Sequence, residues 1–508
     1  MKNKLKVFIN NGEKIRAGMK KNGINEWLMV YIFDFLFMLF VHAVLLNDIY
    51  TPDSISISDG YHAIEYCYTG RYFLALIYGI LQVLGIDCQR HQFAIQLMRL
   101  VVYAFGAVFL TKLFSRYDRS TFPYKIIWLN SIVLIAFVNV FFVETFMFVS
   151  PDWAIGLLLV LGAVTAFIKA RYLISFLLLF CSITTYQSWV FVYVILGMCY
   201  ILLKDEFVIN IKQLKSYVIL GALGIGSAAL DLISLKILVR IGIFPYEAKK
   251  TVIPNILVRT KEILILCKNI FKDGVGMLPK YLLFVYVAFA LIVIVCALVK
   301  KKKYLHCLWT LVVIGAMFIC SFCISYLQAN MYLPARIIYP FFFAVSCVGI
   351  IAYLLEEKKK VKMAVGLVGA VFLIISAYQV QKVCLDRYSS NALDFEYARV
   401  IETKIENYEQ NTGMEVNEIR YYPLKNYIGH YYRETLLLPN YNVNMNTRIF
   451  FEEWAAISLL NFVNGTDYEG EQMGMEEYIE IFGDKTWDKI NLDEQILFKD
   501  NVMYWAIF

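Results

Sequence analysis

Four separated segments of the chain carry side chains that could do acid–base and anion-binding chemistry. Two are rich in carboxylates, the stretch from Asp48 to Arg71 and the short connection from Glu144 to Asp152. The other two are the Tyr186-Gln187 pair and the stretch from Asn330 to Arg336. A carboxylate can take a proton from an attacking hydroxyl, and an arginine can hold a phosphate leaving group. If the fold brings these segments together, they predict an enzyme or a transporter.

Apolar runs separate these segments and must position them. The chain has 508 residues and is 60% hydrophobic, whereas soluble globular proteins are about 45–50% apolar. Runs of roughly 17–25 apolar residues, long enough to cross a bilayer, recur through its first three quarters. We predict about eleven transmembrane helices: Trp27–Leu46, Ala94–Leu113, Ile126–Val143, Trp153–Ile168, Tyr172–Tyr186, Ser188–Leu203, Ser216–Val239, Tyr281–Val299, Leu305–Leu327, Ile337–Leu355 and Met363–Gln381.

The basic residues predict the orientation of these spans, because cytoplasmic loops retain Lys and Arg. Seven Lys and Arg residues between Lys2 and Lys21 place the N-terminus in the cytoplasm of a multi-pass cell-membrane protein. The apolar stretch Tyr72–Leu84 is assigned to the outer surface as an interfacial helix, since counting it as a span would put Lys300–Lys303 outside. All four chemical segments then lie on the extracytoplasmic side.

The chain divides at Gln381 into two predicted domains. Residues 1–381 form a transmembrane catalytic domain whose first outer loop spans residues 47–93. Residues 382–508 contain 11 Lys and Arg against 22 Asp and Glu, a net charge of −11 in a chain whose total is +7. A helical pattern at Leu393–Tyr408 and strand-like runs at Glu418–Tyr422 and Gln495–Phe498 predict a small extracytoplasmic α/β domain. The fold class is therefore mostly α, with this appended module.

Three carboxylates are candidates for a catalytic base. Asp59, which is followed by Gly60, is the favoured one, and Asp53 lies in the same outer loop. Glu144 lies at the outer end of a span, where a charge is costly unless it faces a wet cavity or a partner. The alternatives are ordinary ones, since the loop acids can cap the following helix and Glu144 can reach the headgroup level. Asp152, which follows Pro151, is predicted to cap the next helix.

Six residues are candidates for substrate binding. Arg336, with Tyr332 upstream, and Arg71 can grip a phosphate, although an arginine at a membrane surface can also be a simple anchor. Tyr186 and Gln187 interrupt a long apolar run and can contact a sugar, or Gln187 can cap the hairpin. Arg99 lies inside a span and can either bind phosphate or pair with Asp231.

The composition argues against several other functions. Most of the eleven cysteines lie inside apolar runs, where they act as small apolar residues, and their spacing does not predict zinc. The basic residues are spread over loop ends without an aromatic-interleaved stripe, so no nucleic-acid partner is expected. Metal dependence stays open, because outer carboxylates could hold Mg²⁺ or Mn²⁺ through a lipid phosphate.

Several short motifs give the chain a family resemblance. The acidic first outer loop leading to Gly70-Arg71-Tyr72, the sequence Thr185-Tyr186-Gln187-Ser188 and the pattern Arg336-x-x-Tyr339-Pro340 resemble the GtrII-like glucosyltransferases. These are polytopic enzymes of GT-C fold associated with serotype conversion. Ser58 stands before Asp59, where members of that family often have a second acidic residue.

The resemblance implies a specific reaction and specific partners. The donor would be a sugar, glucose or a related hexose, on a polyprenyl phosphate in the bilayer. The acceptor would be a cell-surface polysaccharide such as an O-antigen or a wall glycan. A carboxylate base would deprotonate the acceptor hydroxyl, and a cation would stabilise the departing phosphate. Separate proteins would synthesise and flip the donor.

Two other classes of membrane protein remain as alternatives. A lipid-linked glycan flippase or transporter is expected to place its polar groups near the bilayer midplane on broken helices in paired repeats. The intramembrane residues Asp231 and Lys236 keep that class open. A polysaccharide polymerase or ligase would rely on basic outer loops, and the connection Arg240–Lys280 is basic.

Overall fold

The computed structural model describes residues 25–58, 63–120, 125–246, 254–328, 331–424, 448–452, 455–483, 485, 487 and 490–507. The described chain is mostly helical, with a small C-terminal sheet. Its α-helices are α1 Glu26–His42, α2 Pro52–Ser58, α3 Tyr72–Val83, α4 Gln92–Ser115, α5 Lys125–Leu134, α6 Val143–Met147, α7 Asp152–Ile168, α8 Tyr172–Ile183, α9 Trp189–Lys204, α10 Ile211–Arg240, α11 Ile256–Asp273, α12 Leu282–Lys300, α13 Tyr304–Cys320, α14 Ala335–Ile338, α15 Pro340–Leu355, α16 Lys359–Thr412, α17 Ala456–Asn464, α18 Met475–Phe482 and α19 Leu492–Gln495.

Each predicted span overlaps one of these helices. By length and composition, six segments can cross a membrane: Glu26–Leu46, α4, α10, α12, Ala335–Leu355 and α16. The other five predicted spans overlap the shorter apolar helices α5, α7, α8, α9 and α13. The chain therefore has the helices of a membrane protein, while the number of eleven crossings stays a prediction.

One segment, Ala335–Leu355, forms the centre of the helix bundle. It is 94% buried over its most apolar window, and every residue from Pro340 to Tyr353 is buried. A helix that is apolar all round is stable only where other helices surround it. This central position fixes Arg336 at the start of the segment.

Helix α3 coincides with the predicted interfacial stretch. It has 12 residues, about 18 Å at 1.5 Å per residue, which is short for a crossing. Leu74, Tyr78 and the neighbouring Tyr66 are buried in a small apolar cluster, and the Leu74 amide donates a 3.2 Å hydrogen bond to the Thr184 carbonyl. Helix α3 thereby fixes Arg71 against the turn between α8 and α9.

The C-terminal module contains a four-stranded sheet in the order β2-β1-β4-β3. Its strands are β1 Glu418–Pro423, β2 Glu469–Gln472, β3 Ile496–Lys499 and β4 Val502–Ile507. Strand β1 runs parallel to β2 and β4, while β3 is antiparallel to β4. The predicted helical pattern and both predicted strand runs are confirmed. The predicted domain boundary at Gln381 lies within the continuous 54-residue helix α16, so the division into two domains stays a prediction.

Candidate active site

Five of the nine predicted site residues line one polar cavity of about 330 Å³. The cavity is lined by residues of the 47–93 loop, the connection before α7, the turn before α9 and the segment before α14. We refer to it as the polar cavity. Its lining residues are Asp53, Ser54, Tyr66, Thr69, Arg71, Leu74, Tyr78, Gln89, Phe148, Val149, Ser150, Asp152, Trp153, Tyr186, Tyr332, Arg336 and Ile337.

Arg336 is the best-held cation of the cavity. Its Nη1 and its backbone N–H each donate a 2.5 Å hydrogen bond to a different oxygen of the Glu144 carboxylate. Its Nη2 donates a 2.9 Å bond to the Tyr332 hydroxyl and lies 3.9 Å from Asp53 Oδ2. The guanidinium carbon also lies 4.5 Å from the centre of the Phe148 ring. These contacts fix the guanidinium plane, which is the geometry that phosphate recognition requires.

A break in the helical backbone positions Glu144. Helix α5 ends at Leu134, although the predicted span continued to Val143. Fully buried Asn139 accepts hydrogen bonds from the Phe141 and Phe142 amides and donates to the carbonyls of Ile135 and Ala136. Non-helical backbone at this depth needs such internal partners. The break lets the short helix α6 aim Glu144 at Arg336, which lies 192 residues further along the chain.

Arg71 is the second arginine that lines the polar cavity. Its guanidinium carbon lies 4.8 Å from the centre of the Tyr186 ring, and that ring packs 4.3 Å from the ring of Trp153. Gly70 has a φ of +76°, and a Cβ there would lie 2.9 Å from Asp231 Oδ1. The close approach therefore requires glycine at this position. Arg71 Nε has no hydrogen-bond partner among the described residues, so it can bind a ligand.

Gln187 and Arg99 do not line the polar cavity, but each holds a loop that does. Gln187 Nε2 donates a 3.1 Å hydrogen bond to the Thr69 carbonyl, which ties the α8–α9 turn to the first outer loop. Fully buried Arg99 donates from Nε to the Ser150 carbonyl at 2.7 Å and from its two terminal nitrogens to the carbonyls of Phe146 and Phe148. Arg99 therefore holds the loop before α7, and its near carboxylate is Asp152 at 4.0 Å rather than Asp231.

The cavity wall also contains polar residues that were not among the predicted site residues, and three of them have buried polar atoms. Gln89 Oε1, Ser150 Oγ and Asp152 Oδ1 are buried and accept or donate no hydrogen bond of normal geometry among the described residues, although Asp152 Oδ1 lies 4.0 Å from Arg99 Nη2. The sequence predicted Asp152 only as a helix cap, but Pro151 occupies the N-cap position of α7 and Asp152 begins the helix. Buried polar groups without partners cost about 1–3 kcal/mol each, so a cluster of them at a cavity suggests a polar ligand.

Two neighbouring groups are kept neutral by their surroundings. Burial raises the pKa of the Cys88 thiol to about 12, so Cys88 is not a thiolate nucleophile at neutral pH. Burial likewise raises the pKa of Tyr78, which stays a neutral phenol. Acid–base and anion-binding chemistry in the polar cavity is therefore left to its carboxyl and guanidinium groups.

Two predicted residues, the favoured base Asp59 and Asn330, cannot be placed relative to the polar cavity. Asp59 follows the last residue of α2 but falls outside the described residues, and Asn330 does as well. Within the described ranges, no group of three His, Cys, Asp or Glu residues could hold a metal ion.

A helical bundle with apolar membrane-length helices and a charged cavity at one end of its central segment is the architecture of a membrane enzyme or transporter. Comparison with protein families distinguishes these classes, because a family model described as Glucosyl transferase GtrII matches residues 42–345. The chain therefore belongs to the GtrII family and has the family's glycosyltransferase character. Neither the comparison with curated proteins nor that with solved structures finds a match.

Proposed function

We propose that the protein transfers a hexose from a polyprenyl-phosphate donor to a cell-surface polysaccharide on the extracytoplasmic face of the membrane. One observation carries this proposal: a partly exposed carboxylate, Asp53, shares the polar cavity with two arginines, Arg336 and Arg71. This combination supplies a base and a phosphate site at one location. The match to a glucosyltransferase family favours transfer over transport.

The proposed reaction is a single displacement. Asp53 takes the proton of the acceptor hydroxyl, and the hydroxyl oxygen attacks the anomeric carbon of the donor sugar. The bond between that carbon and the phosphate oxygen breaks, and its electron pair leaves with the lipid phosphate. Arg336 and Arg71 stabilise the charge that develops on the phosphate. Asp59 is the alternative base, because it directly follows the helix that carries Asp53.

Glu144 has a positioning role in this scheme. Both of its oxygens accept hydrogen bonds from Arg336, and its side chain is only 2% exposed. A base needs an oxygen free to receive the substrate proton, which makes Glu144 a poor candidate. It fixes the Arg336 guanidinium toward the phosphate instead.

The polar wall formed by Gln89, Ser150 and Asp152 suits a polyhydroxylated ring. Their side-chain oxygens can accept hydrogen bonds from sugar hydroxyls, and the adjacent, tilted rings of Trp153 and Tyr186 offer an apolar surface beside them. The donor hexose would occupy this part of the cavity, while its lipid chain would remain in the bilayer. A divalent ion could assist through the lipid phosphate.

Mass spectrometry of surface glycans and lipid-linked sugars tests the proposal. Cells with the wild-type protein should carry a side-chain hexose that is absent from deletion cells and from Asp53→Asn cells. Lipid-linked hexose should accumulate in both. An unchanged glycan in the deletion strain would contradict the transferase function and favour transport. A glycan lost in the deletion but kept in Asp53→Asn cells would transfer the role of base to Asp59.

A further inference from the structure

We infer that the C-terminal module is a positioning part of the active site, because it holds the segment that presents Asp53 to the polar cavity. The inference rests on the proposed function and assigns a role to helix α16 beyond anchoring the module. The segment concerned is Ile49–Ser58, which contains helix α2. It contacts the cavity on one side and the module on the other.

Helix α16 holds the segment first through the backbone of Tyr50, and we call the contacts between α16 and Ile49–Ser58 the grip. Its N–H donates a 2.7 Å hydrogen bond to Asn391 Oδ1, and its carbonyl accepts a hydrogen bond from Arg387 Nη2. Arg387 and Asn391 are four residues apart and therefore lie on one face of α16. Both are buried. Because the two bonds engage backbone groups, they fix the path of the chain whatever side chain it carries.

The side chains of the segment extend the contact into the module. The Tyr50 ring lies 5.4 Å from the ring of Phe395 and 5.0 Å from that of Phe462, measured between centroids. Ile55 is fully buried in the apolar core that the module shares with α16. These contacts attach Tyr50, which lies just before α2, and the first turn of α2 to the module.

Helix geometry then directs Asp53 to the cavity. Asp53 and Ile55 are two positions apart, about 200° around the helix, so they lie on opposite faces. Burying Ile55 in the module therefore turns Asp53 toward the cavity and Arg336. On the membrane side, the Ile49 amide donates a 2.9 Å hydrogen bond to Gln92 Oε1 on α4, so the segment is held from both directions.

A single asparagine tests this grip. Asn391→Ala removes the acceptor of the Tyr50 N–H, whereas Asn391→Asp keeps an oxygen there beside Arg387. A displacement of about 1 Å in a reacting group can lower a rate about 100-fold. We expect Asn391→Ala to lower kcat about 10-fold to 100-fold with the KM for donor changed less than about threefold. Asn391→Asp should restore at least half of the lost kcat on a logarithmic scale.

A second asparagine provides the matched control. Asn464 lies at the end of α17 and donates hydrogen bonds to the Ala398 carbonyl at 3.1 Å and to Glu402 Oε2 at 3.4 Å, both on α16. Among the described residues, no hydrogen bond joins Asn464 to the Ile49–Ser58 segment. Asn464→Ala should lose a similar stability and keep kcat within about twofold. Equal kcat losses in the two alanine variants, or a wild-type kcat in Asn391→Ala, would overturn the inference.

Hydrogen exchange measures the grip without relying on turnover. Backbone amides of residues 50–58 should exchange at least about 10-fold faster in Asn391→Ala than in the wild type or in Asn464→Ala. Unchanged exchange would overturn the inference even if the enzyme is active. If the wild type transfers no sugar, the proposed function fails, and faster exchange would still show that the module holds this segment.

Discussion

The two ends of the central segment Ala335–Leu355 each carry a buried carboxylate–cation pair, and the pairs differ in how closed they are. Beyond the C-terminal end, Lys362 Nζ lies 2.7 Å from Asp118 Oδ1, with side chains 2% and 1% exposed. At the N-terminal end, Arg336 pairs with Glu144 but remains 15% exposed, and nearby Asp53 is 45% exposed. The Asp118–Lys362 pair is closed off from solvent, and we call it the sealed pair. The Glu144–Arg336 pair borders the polar cavity.

The difference indicates what each pair does. Lys362 is further covered by the Tyr353 ring, 4.6 Å from Nζ, so its charge serves helix packing. Arg336 has hydrogen-bond partners on two segments and still faces the polar cavity. Burial of an ion pair alone is weak support for a site. The open cavity and the unpartnered polar atoms make the Arg336 end the functional one.

The largest effect should come from breaking the sealed pair. Asp118→Asn leaves Lys362 buried without its counter-ion, which typically costs about 3–5 kcal/mol. The free energy of unfolding in detergent should fall by this amount, while the activity per folded molecule stays within about twofold. A wild-type stability, or a selective loss of activity, would contradict the structural role of this pair.

Replacing each cation by the other basic residue should affect the two ends of the central segment differently. Arg336→Lys loses the planar fork that bonds Glu144 and Tyr332 together, so transfer should fall about 100-fold. Lys362→Arg overpacks a closed site and should cost about 1–3 kcal/mol of stability with little change in transfer rate. Steady-state kinetics on both purified variants checks this contrast. Equal activity losses would mean that Arg336 has no special role.

A smaller effect is expected at the cavity wall. Asp152→Asn should raise the KM for donor about 10-fold with kcat within about threefold, because the carboxylate would bind sugar hydroxyls in the ground state. Asp34→Asn is the matched control, since Asp34 accepts a 2.6 Å hydrogen bond from Asn130 away from the cavity. An unchanged KM in Asp152→Asn would exclude Asp152 from sugar binding.

The smallest effect concerns acid stability. Burial raises the pKa of Asp118, but hydrogen bonds from Lys362 and Ser120 outweigh it and hold the pKa below its ordinary value. A carboxylate with a lowered folded-state pKa stabilises the fold above its unfolded pKa, and this contribution is lost as the pH falls through the folded pKa. Stability should therefore decline below about pH 4, less steeply in Asp118→Asn. Identical slopes in wild type and variant would contradict this.

The sequence was a good guide wherever local pattern decides structure. Apolar runs located the helices, the acidic tail contained the predicted strands, and Asp53, Arg71, Tyr186, Tyr332 and Arg336 proved to share a cavity. The sequence pattern could not show that both carboxylate oxygens of Glu144 accept hydrogen bonds from Arg336. Their pairing depends on the backbone break at Asn139, whose effect on the path of the chain is a tertiary property.

Long-range partners were equally out of reach. Tyr50 and Asn391 lie 341 residues apart, and Asp118 and Lys362 lie 244 apart. Arg99 could be recognised as a buried cation, but its bonding to backbone carbonyls could not, because any loop can supply carbonyls. Asp152 resembled a cap since it follows Pro151, and only the packing of the loop around Arg99 directs it to the cavity.

The most direct test of the central claim is the transfer rate of purified Asp53→Asn protein with a polyprenyl-phosphate hexose and acceptor glycan, compared with Asp59→Asn and Lys362→Arg. A general base contributes about 10²–10⁴-fold. If Asp53 is the base, Asp53→Asn should lower the transfer rate at least about 100-fold and change donor binding less than about twofold. Asp59→Asn and Lys362→Arg should keep near wild-type transfer rates. Wild-type transfer by Asp53→Asn would contradict the role of Asp53 as the base.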